Sequence, residues 1–283
     1  MSKSSPIEWT RSTFNPWWGC VKVSPACQHC YAERDATRFG HKVWGPESPR
    51  RFFSQEHWDQ PLKWNEQAKR EGQPWRVFTG SMCDVLEDRE DLLIQRVRLW
   101  ELIEKTPHLT WLLLTKRPER FPKATPSRWW SPETWPRNVW AGTTVENQEW
   151  AEERIPHLVE VPAPVRFISA EPLLGPLDLS PWMWKSGCEH HCGDRCSRDI
   201  DCPFDPSHRI HWVVAGGESG PHARPSQVAW FRDLRDQCTG AGVSFFFKQW
   251  GEYGPAGVRI GRAIAGRILD GREWSNVPEL EDW

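Results

Sequence analysis

The amino-acid sequence predicts an α/β fold in which parallel strands form a partial or near-complete (β/α) barrel that carries a cysteine-rich insertion. Short apolar runs recur along the chain, and amphipathic or polar stretches separate them. Runs that are apolar on both faces are typical of buried parallel strands. Their alternation with helical stretches indicates consecutive βα units. Polar residues follow nearly every run, as expected where strands end at the rim of a barrel.

Six apolar runs are interpreted as strands, and a further strand is expected before Cys20. The six runs cover residues 76–80, 109–115, 139–144, 165–170, 210–215 and 243–248. Three intervening segments space their apolar residues at near-helical intervals and are predicted to be helices. These are residues 91–105, 150–158 and 227–237. We therefore treat residues 1–283 as one barrel domain with an insertion at 181–211.

The overall composition narrows the class of protein. The chain has 283 residues, which is enough for one large core. Its formal net charge of -2 provides no global basic field, so any contact with nucleic acid has to use a local groove. No apolar run approaches the length of a membrane span and the first residues lack a signal-peptide core. A cytoplasmic location without a membrane partner is expected.

The chain contains 21 tryptophans, and many lie in proline-rich stretches. Examples are Trp17, Trp18, Trp129, Trp130 and Trp135. Indole rings form sequence-tolerant platforms on which nucleobases stack. The alternative is that these side chains simply fill the core.

Three cysteines near the start of the chain form the strongest chemical motif. Cys20, Cys27 and Cys30 have the spacing C-x6-C-x2-C. A closed structural zinc site needs four ligands, whereas the motif has three cysteines. A cubane iron–sulfur cluster on three thiolates instead leaves one iron open. The alternative is a zinc knuckle that takes a distant fourth ligand.

The motif and much of the remaining chain resemble the radical S-adenosylmethionine (SAM) superfamily. Within it, the chain resembles the three-cysteine-motif proteins common in bacteriophage genomes, and more loosely the spore photoproduct lyases. The commonest superfamily spacing is C-x3-C-x2-C, so the first gap here is longer. The segments that carry the resemblance are GCVKVSPACQHCYAER, VFTGSMCDV, LLLTKRPERF, VWAGTTVENQ, RFISAEPLLGPLDL, WVVAGGESGPHARP and FFFKQWGEY.

This resemblance implies a cofactor and a reaction class. Cys20, Cys27 and Cys30 would each bind one iron of a [4Fe-4S] cluster, and SAM would chelate the fourth iron. A reductant protein would deliver an electron to the cluster, and cleavage of SAM would yield a 5′-deoxyadenosyl radical. The chemistry belongs to the cofactor, and the protein supplies binding and exclusion of water.

Polar residues at the predicted strand ends are candidates for binding SAM. Arginine and lysine suit a carboxylate or phosphate, acidic and hydroxyl side chains suit an amine or ribose, and an aromatic ring can pack on adenine. The alternative is ordinary capping and turn chemistry. The candidates are Tyr31, Ser81, Asp84, Lys116, Arg117, Thr143, Glu146 and Glu218.

Three further residues are predicted to take part in catalysis. Lys248 ends the apolar run FFFK, where its side chain would point into the barrel mouth. Glu171 follows the fifth predicted strand and is interpreted as a ribose or substrate ligand. Cys83 is a candidate hydrogen-atom donor to a substrate radical, and the alternative for it is a small buried side chain.

A second cysteine cluster lies in the predicted insertion, residues 181–211. Cys188, Cys192, Cys196 and Cys202 fall within fifteen residues that contain few aliphatic side chains. Such a segment needs a staple because it cannot build its own core. Zinc and an auxiliary [4Fe-4S] cluster both fit four thiolates.

Two functions from different classes follow. The first is a radical SAM enzyme that modifies or rearranges a nucleobase or nucleotide, for example hypermodified thymine in phage DNA; within this class the alternative substrate is a peptide. The second is a non-catalytic, zinc-bearing nucleic-acid-binding protein. The colour of the purified protein distinguishes them, because iron–sulfur proteins are brown and zinc proteins are colourless.

Overall fold

A sheet of seven parallel strands forms the centre of the molecule. The computed structural model describes residues 7–183 and 209–279. Within these residues the strands pair in chain order, each with the next and all in parallel. They are β1 (Ser12–Phe14), β2 (Trp75–Thr79), β3 (Leu109–Thr115), β4 (Val139–Thr144), β5 (Arg166–Ala170), β6 (Trp212–Gly216) and β7 (Ser244–Gln249). All six predicted runs are strands whose ends agree within two residues.

Helices occupy most of the connections. In the described residues they are α1 (Tyr31–Arg38), α2 (Gln55–Trp58), α3 (Gln60–Glu71), α4 (Leu93–Glu104), α5 (Phe121–Ala124), α6 (Gln148–Val159), α7 (Val228–Ala241) and α8 (Arg262–Ala265). The three predicted helices correspond to α4, α6 and α7. None of the helices described here has the length and apolar character needed to cross a bilayer.

The sheet is curled rather than flat. The Trp9 ring lies 4.8 Å from the Phe78 ring on β2 and 5.7 Å from the Trp212 ring on β6. In a flat sheet, strands four positions apart would be separated by about 19 Å, so one indole could not contact both. Because β7 is not paired with β1 in the described residues, the structure is an open, partial (β/α) barrel. The predicted fold class is confirmed.

Alternate strand residues pack into two separate layers. Inward-facing side chains form an inner core that consists of Trp9, Phe78, Leu112, Trp140, Val165, Phe167, Trp212, Val214 and Phe246. A larger core lies on the other face of the sheet and includes side chains of the helices. The two-residue period of a strand therefore decides which strand-end residues point into the barrel.

Several tryptophans predicted as stacking platforms belong to the core instead. Trp17, Trp129 and Trp135 are almost completely buried. Trp129 packs edge-on against Trp100 and Trp135, with ring centroids 5.5 Å and 5.7 Å away. Edge-to-face packing of this kind stabilises an interior, so these three side chains do not offer a surface to a nucleobase.

Gly142 on β4 is required by the inner core. A Cβ at this position would lie 2.3 Å from Cζ of Phe167, whose ring is held against Trp9 and Trp212. We expect Gly142→Ala to lower the free energy of unfolding by about 1–3 kcal/mol, because overpacking forces side chains off their rotamers. Urea denaturation measures this loss.

Gly240 in α7 provides the matched control. A Cβ there would meet nothing within 4 Å, and its backbone is helical. Gly240→Ala should leave the stability unchanged or raise it by up to about 1 kcal/mol. Equal urea midpoints for Gly142→Ala and the natural protein would contradict the packing described here.

Candidate functional site

A cavity of about 460 Å3 opens at the carboxyl ends of the strands. The loop that follows β1 forms one wall, and residues at the ends of the other strands form the rest. Many of the predicted site residues therefore lie around one space. The polar and sulfur-bearing lining includes Cys20, Cys27, Cys30, Tyr31, Ser81, Cys83, Asp84, Lys116, Arg117, Thr144, Ser169, Glu171, Glu218, Lys248 and Gln249.

The loop that carries the three cysteines, residues 19–30, is tied closely to its neighbours. Its first residue, Gly19, has φ +115°, and a Cβ there would lie 2.3 Å from the Val43 carbonyl oxygen. The Gly19 amide donates to the Met82 carbonyl at 3.0 Å. Glycine is needed here because other residues rarely adopt this conformation. The loop ends where α1 begins, directly after Cys30.

Arg117 and Asp84 hold the first cysteine of this loop. Arg117 Nη1 lies 2.8 Å from Asp84 Oδ2 and 3.9 Å from Cys20 Sγ, while Nη2 donates to the Val21 carbonyl at 3.0 Å. Asp84 also accepts from Thr115 Oγ1 and from the Lys116 amide. Burial acts to raise the pKa of Asp84, but the Arg117 charge and these hydrogen bonds outweigh it, so the pKa lies below its ordinary value.

Glu146 and Arg154 hold the middle of the cysteine loop in place. Glu146 Oε1 accepts from the Ala26 amide at 3.1 Å, and its Oε2 lies 2.9 Å from Arg154 Nη1. Both side chains are buried. Glu146 is not among the residues that line the cavity, so the cofactor contact predicted for it has no geometric support, and its contacts position the cysteine loop.

Thr143 also points away from the cavity. Its Oγ1 donates to the Thr115 carbonyl at 2.9 Å, and its side chain is fully buried. The alternation along β4 explains this placement: Trp140 faces inward, so Gly142 and Thr144 do as well, and Thr143 faces outward. Thr144 lines the cavity, and the predicted Thr143 does not.

Glu218 at the end of β6 is paired with Arg224, which the sequence analysis did not identify. Arg224 donates to both Glu218 oxygens, at 2.6 Å and 2.8 Å, and its Nη2 reaches the Pro25 carbonyl at 3.0 Å. His29 Nδ1 lies 3.5 Å from the same carboxylate. Although burial acts to raise the pKa of Glu218, the hydrogen bonds from Arg224 lower it below its ordinary value. The Glu218–Arg224 pair thus contacts the part of the cysteine loop that contains Pro25 and His29.

Asn15 holds the residues that directly follow β2, and it was not predicted as a site residue from the sequence. Asn15 Nδ2 donates to Ser81 Oγ at 2.9 Å, and its Oδ1 accepts from the Met82 amide at 2.7 Å. Tyr31 Oη donates to the Ser81 carbonyl at 2.8 Å. Cys83 lies beside this cluster, with its Sγ 4.0 Å from Asn15 Oδ1. Asn15 directly follows β1, so its position at a strand exit was the available signal.

Lys248 and Glu171 form an ion pair on the barrel side of the cavity. Lys248 Nζ lies 2.9 Å from Glu171 Oε1, and the two side chains are 17% and 13% exposed. Gly216 leaves room for this pair, because a Cβ there would be 2.7 Å from Glu171 Oε1. The pair lines the same cavity as the three cysteines.

Three polar groups of the cavity wall have no partner within the described residues. The Lys116 ammonium makes no ion pair there, and the Trp9 indole N–H and Gln249 Oε1 are buried without a hydrogen bond. Gln249 is oriented by its Nε2, which lies 2.9 Å from Ser219 Oγ. Because buried polar groups are normally paired, the Trp9 N–H and the Gln249 oxygen are available to a bound molecule, and so is the partly exposed Lys116 ammonium.

The chemistry of the three thiols fits a metal cofactor. Burial raises the pKa of Cys20 to about 12, and burial also raises the pKa of Cys30 above its ordinary value. The thiolate forms of Cys20 and Cys30 are therefore disfavoured, and a bound cation would have to displace the protons of these two thiols. In the described residues no three Cys, His, Asp or Glu side chains are gathered as a metal site. The fit thus rests on the donor set and its shared cavity.

The second predicted metal site lies outside the described residues. Cys188, Cys192, Cys196 and Cys202 all fall between residues 184 and 208, for which the structure gives no description. The assignment of zinc or an auxiliary cluster to these four cysteines stays a prediction.

The fold and cavity define a class: an open (β/α) barrel protein whose thiol-bearing loop lies at the carboxyl rim of its sheet. The chain belongs to a family described as a protein of unknown function (DUF5131), whose model matches residues 4–278. No curated protein matches the chain.

Among solved structures, the chain is distantly similar to a spore photoproduct lyase mutant with bound AdoMet and dinucleoside spore photoproduct. The two share 13% sequence identity with a TM-score of 0.41. The match covers 60% of this chain and 47% of the lyase chain, so less than half of that protein's length is represented here.

Proposed function

We propose that this protein is a radical SAM enzyme in which Cys20, Cys27 and Cys30 hold a [4Fe-4S] cluster. One observation carries the proposal. The three-cysteine loop lies at the carboxyl rim of a partial parallel barrel and shares one cavity with the polar strand ends. In barrels of this kind the reacting groups lie at that rim. A cavity of about 460 Å3 falls in the range of small-molecule sites.

The cofactor would supply the difficult chemistry. Cys20, Cys27 and Cys30 would hold the cluster, which would supply the electron for reductive cleavage of SAM. The protein's own contribution is to fix the cysteine loop, exclude water and orient the two molecules. The pairs Arg117–Asp84, Glu146–Arg154 and Glu218–Arg224 support the first of these tasks, since each contacts the loop or its immediate neighbour.

Lys116 is the residue that we assign to the carboxylate of SAM. Its ammonium has no ion-pair partner in the described residues, and it lines the same cavity as Cys30. Arg117, Asp84 and Glu218 already have partners in the loop and its supports, so we give them positioning roles. Ser81 and Tyr31 remain candidates for the amine and the adenine, because both line the cavity.

The substrate that we propose is a nucleobase or nucleotide, with thymine in DNA as the specific case. Support comes from the polar groups of the cavity wall. The Trp9 N–H, the Gln249 amide oxygen and the Lys248–Glu171 pair offer donors and acceptors of the kind that the edge of a base requires. Cys83 lines the same cavity and stays a candidate hydrogen-atom donor.

The first test is the metal content of protein purified without oxygen. We expect a brown protein with about four iron and four sulfide per chain at the first site. If the second cluster binds zinc, about one zinc per chain should accompany them. If it binds an auxiliary cubane, the iron content should double. With dithionite and SAM, the protein should release 5′-deoxyadenosine.

A colourless protein that contains zinc but no iron would contradict the proposal. That result would support the alternative, a zinc-bearing protein without catalysis. Binding of single-stranded DNA oligonucleotides, measured in parallel by fluorescence anisotropy, would then test whether nucleic acid is its ligand.

A further inference from the structure

We propose that Arg117 tunes the reduction potential of the cluster through a charged hydrogen bond to Cys20 Sγ, and that Asp84 moderates its effect. This inference rests on the proposed function, since it requires an iron–sulfur cluster on Cys20. It assigns Arg117 and Asp84 a role that differs from the direct contact with SAM predicted from the sequence.

The guanidinium is fixed between two anchors and faces the sulfur. Asp84 Oδ2 lies 2.8 Å from Nη1 on one side, and the Val21 carbonyl accepts from Nη2 at 3.0 Å on the other. With the Arg117 guanidinium held in this way, its Nη1 lies 3.9 Å from Cys20 Sγ. Arginine suits this task because its planar group forms several directed hydrogen bonds at once.

The burial of Arg117 and Asp84 strengthens the electrostatic effect of their charges on a cluster bound at Cys20. Arg117 and Asp84 are only 11% and 7% exposed, so water screens their charges weakly. Asp84 is itself held by Thr115 Oγ1 and by the amides of Lys116 and Leu86. The pair is therefore a fixed feature of the site and not a flexible surface contact.

The arrangement singles out one of the three cysteines. In the described residues no arginine lies within hydrogen-bond distance of Cys27 Sγ or Cys30 Sγ. Within the described part of the chain, the hydrogen-bonding neighbour of Cys27 Sγ is the Ser24 hydroxyl, 4.0 Å away. Arg224 supports the same loop through the Pro25 carbonyl and contacts no sulfur. Support of the loop and contact with a sulfur are thus separable by mutation.

The direction of the effect follows from electrostatics. Reduction adds a negative charge to the cluster, and hydrogen bonds to ligand sulfurs together with nearby positive charge favour that state. Arg117 should therefore raise the reduction potential. Asp84 opposes it, because its negative charge offsets part of the guanidinium's field.

The experiment measures midpoint potentials of the reconstituted full-length protein by redox titration, followed by electron paramagnetic resonance of the reduced cluster. We expect Arg117→Gln to shift the potential to more negative values and Asp84→Asn to shift it to less negative values. Arg117→Lys, which keeps the charge but loses the fork, should fall between Arg117→Gln and the natural protein. Arg224→Gln, which weakens support of the loop without removing a contact to a sulfur, should shift the potential less than Arg117→Gln does. Arg128→Gln, at an exposed arginine that pairs with Glu104 and does not line the cavity, should leave the potential unchanged.

Opposite shifts are the feature that a purely structural role does not produce. Equal potentials in Arg117→Gln and the natural protein would overturn the inference, as would shifts of the same sign in Arg117→Gln and Asp84→Asn. If Arg117→Gln fails to retain iron, the potentials of Arg117→Lys and Asp84→Asn test the inference instead. They should still shift in opposite directions from that of the natural protein, and shifts of the same sign would overturn the inference. Absence of any cluster in the natural protein would instead overturn the proposed function, and this inference with it.

Discussion

Alanine at Cys20, Cys27 or Cys30 is expected to abolish the release of 5′-deoxyadenosine from SAM, with a loss of at least about 10³-fold for each variant. Each thiolate would bind a different iron, so two cysteines cannot hold the cluster and leave one iron open for SAM. Iron content should fall well below the value of the natural protein. Anaerobic reconstitution followed by chromatographic detection of 5′-deoxyadenosine measures the effect.

Cys238→Ala is the matched control for these three variants. Cys238 is buried in α7 and does not line the cavity, so its loss removes a thiol without touching the site. We expect iron content and SAM cleavage equal to those of the natural protein, with at most a small loss of stability. Retention of SAM cleavage in any one of the three loop variants would defeat the radical SAM assignment.

The sequence located β3 and β4 best, since both begin and end at the predicted residues. β5 and β6 are also buried on both faces, but their predicted runs begin one and two residues too early, because the buried residues Val165 and Ile210 precede the strands. β1 has only three residues and begins with Ser12 and Thr13, so only its existence before Cys20 was predicted. α3 was missed, although Trp64 and Ala68 on its buried face have helical spacing.

The site was predicted in its location but not in its pairings. Strand exits share one rim in a parallel barrel, so Ser81, Lys116, Glu171 and Lys248 could be grouped from the sequence alone, and all four line the cavity. Which charged residues already have partners depends on contacts between distant positions. Arg224 reaches back about two hundred residues to Pro25, and no local pattern in the sequence announces such a contact.

The sequence alone also could not show which of two adjacent residues faces the cavity. Thr143 and Thr144 are identical side chains at consecutive positions, and only the register of β4 within the curled sheet decides which one faces the cavity. Trp9 is a similar case. Its place inside the barrel follows from the curl, which brings β2 and β6 close enough for a single indole to contact both.

The Lys248–Glu171 pair should matter far more for conversion of the substrate than for cleavage of SAM. It lies in the cavity at the ends of β7 and β5, and the cysteine loop lies in the same cavity after β1. Misplacing the substrate by about 1 Å can cost about 10²-fold in rate. We expect Lys248→Met and Glu171→Gln each to lower conversion of a thymine-containing oligonucleotide by at least about 10²-fold. Reductive cleavage of SAM without the oligonucleotide should stay within about threefold of the natural protein.

The double variant Lys248→Met with Glu171→Gln separates function from folding. Each single change leaves one charge without its partner in a mostly buried place, which costs up to about 3 kcal/mol. Removing both charges should restore the urea midpoint close to that of the natural protein, because neither charge is then left unpaired. Oligonucleotide conversion should remain low, since the substrate contacts are still absent. A double variant that recovers stability and conversion together would show that the pair only supports the fold, whereas recovered stability with lost conversion assigns it to the substrate.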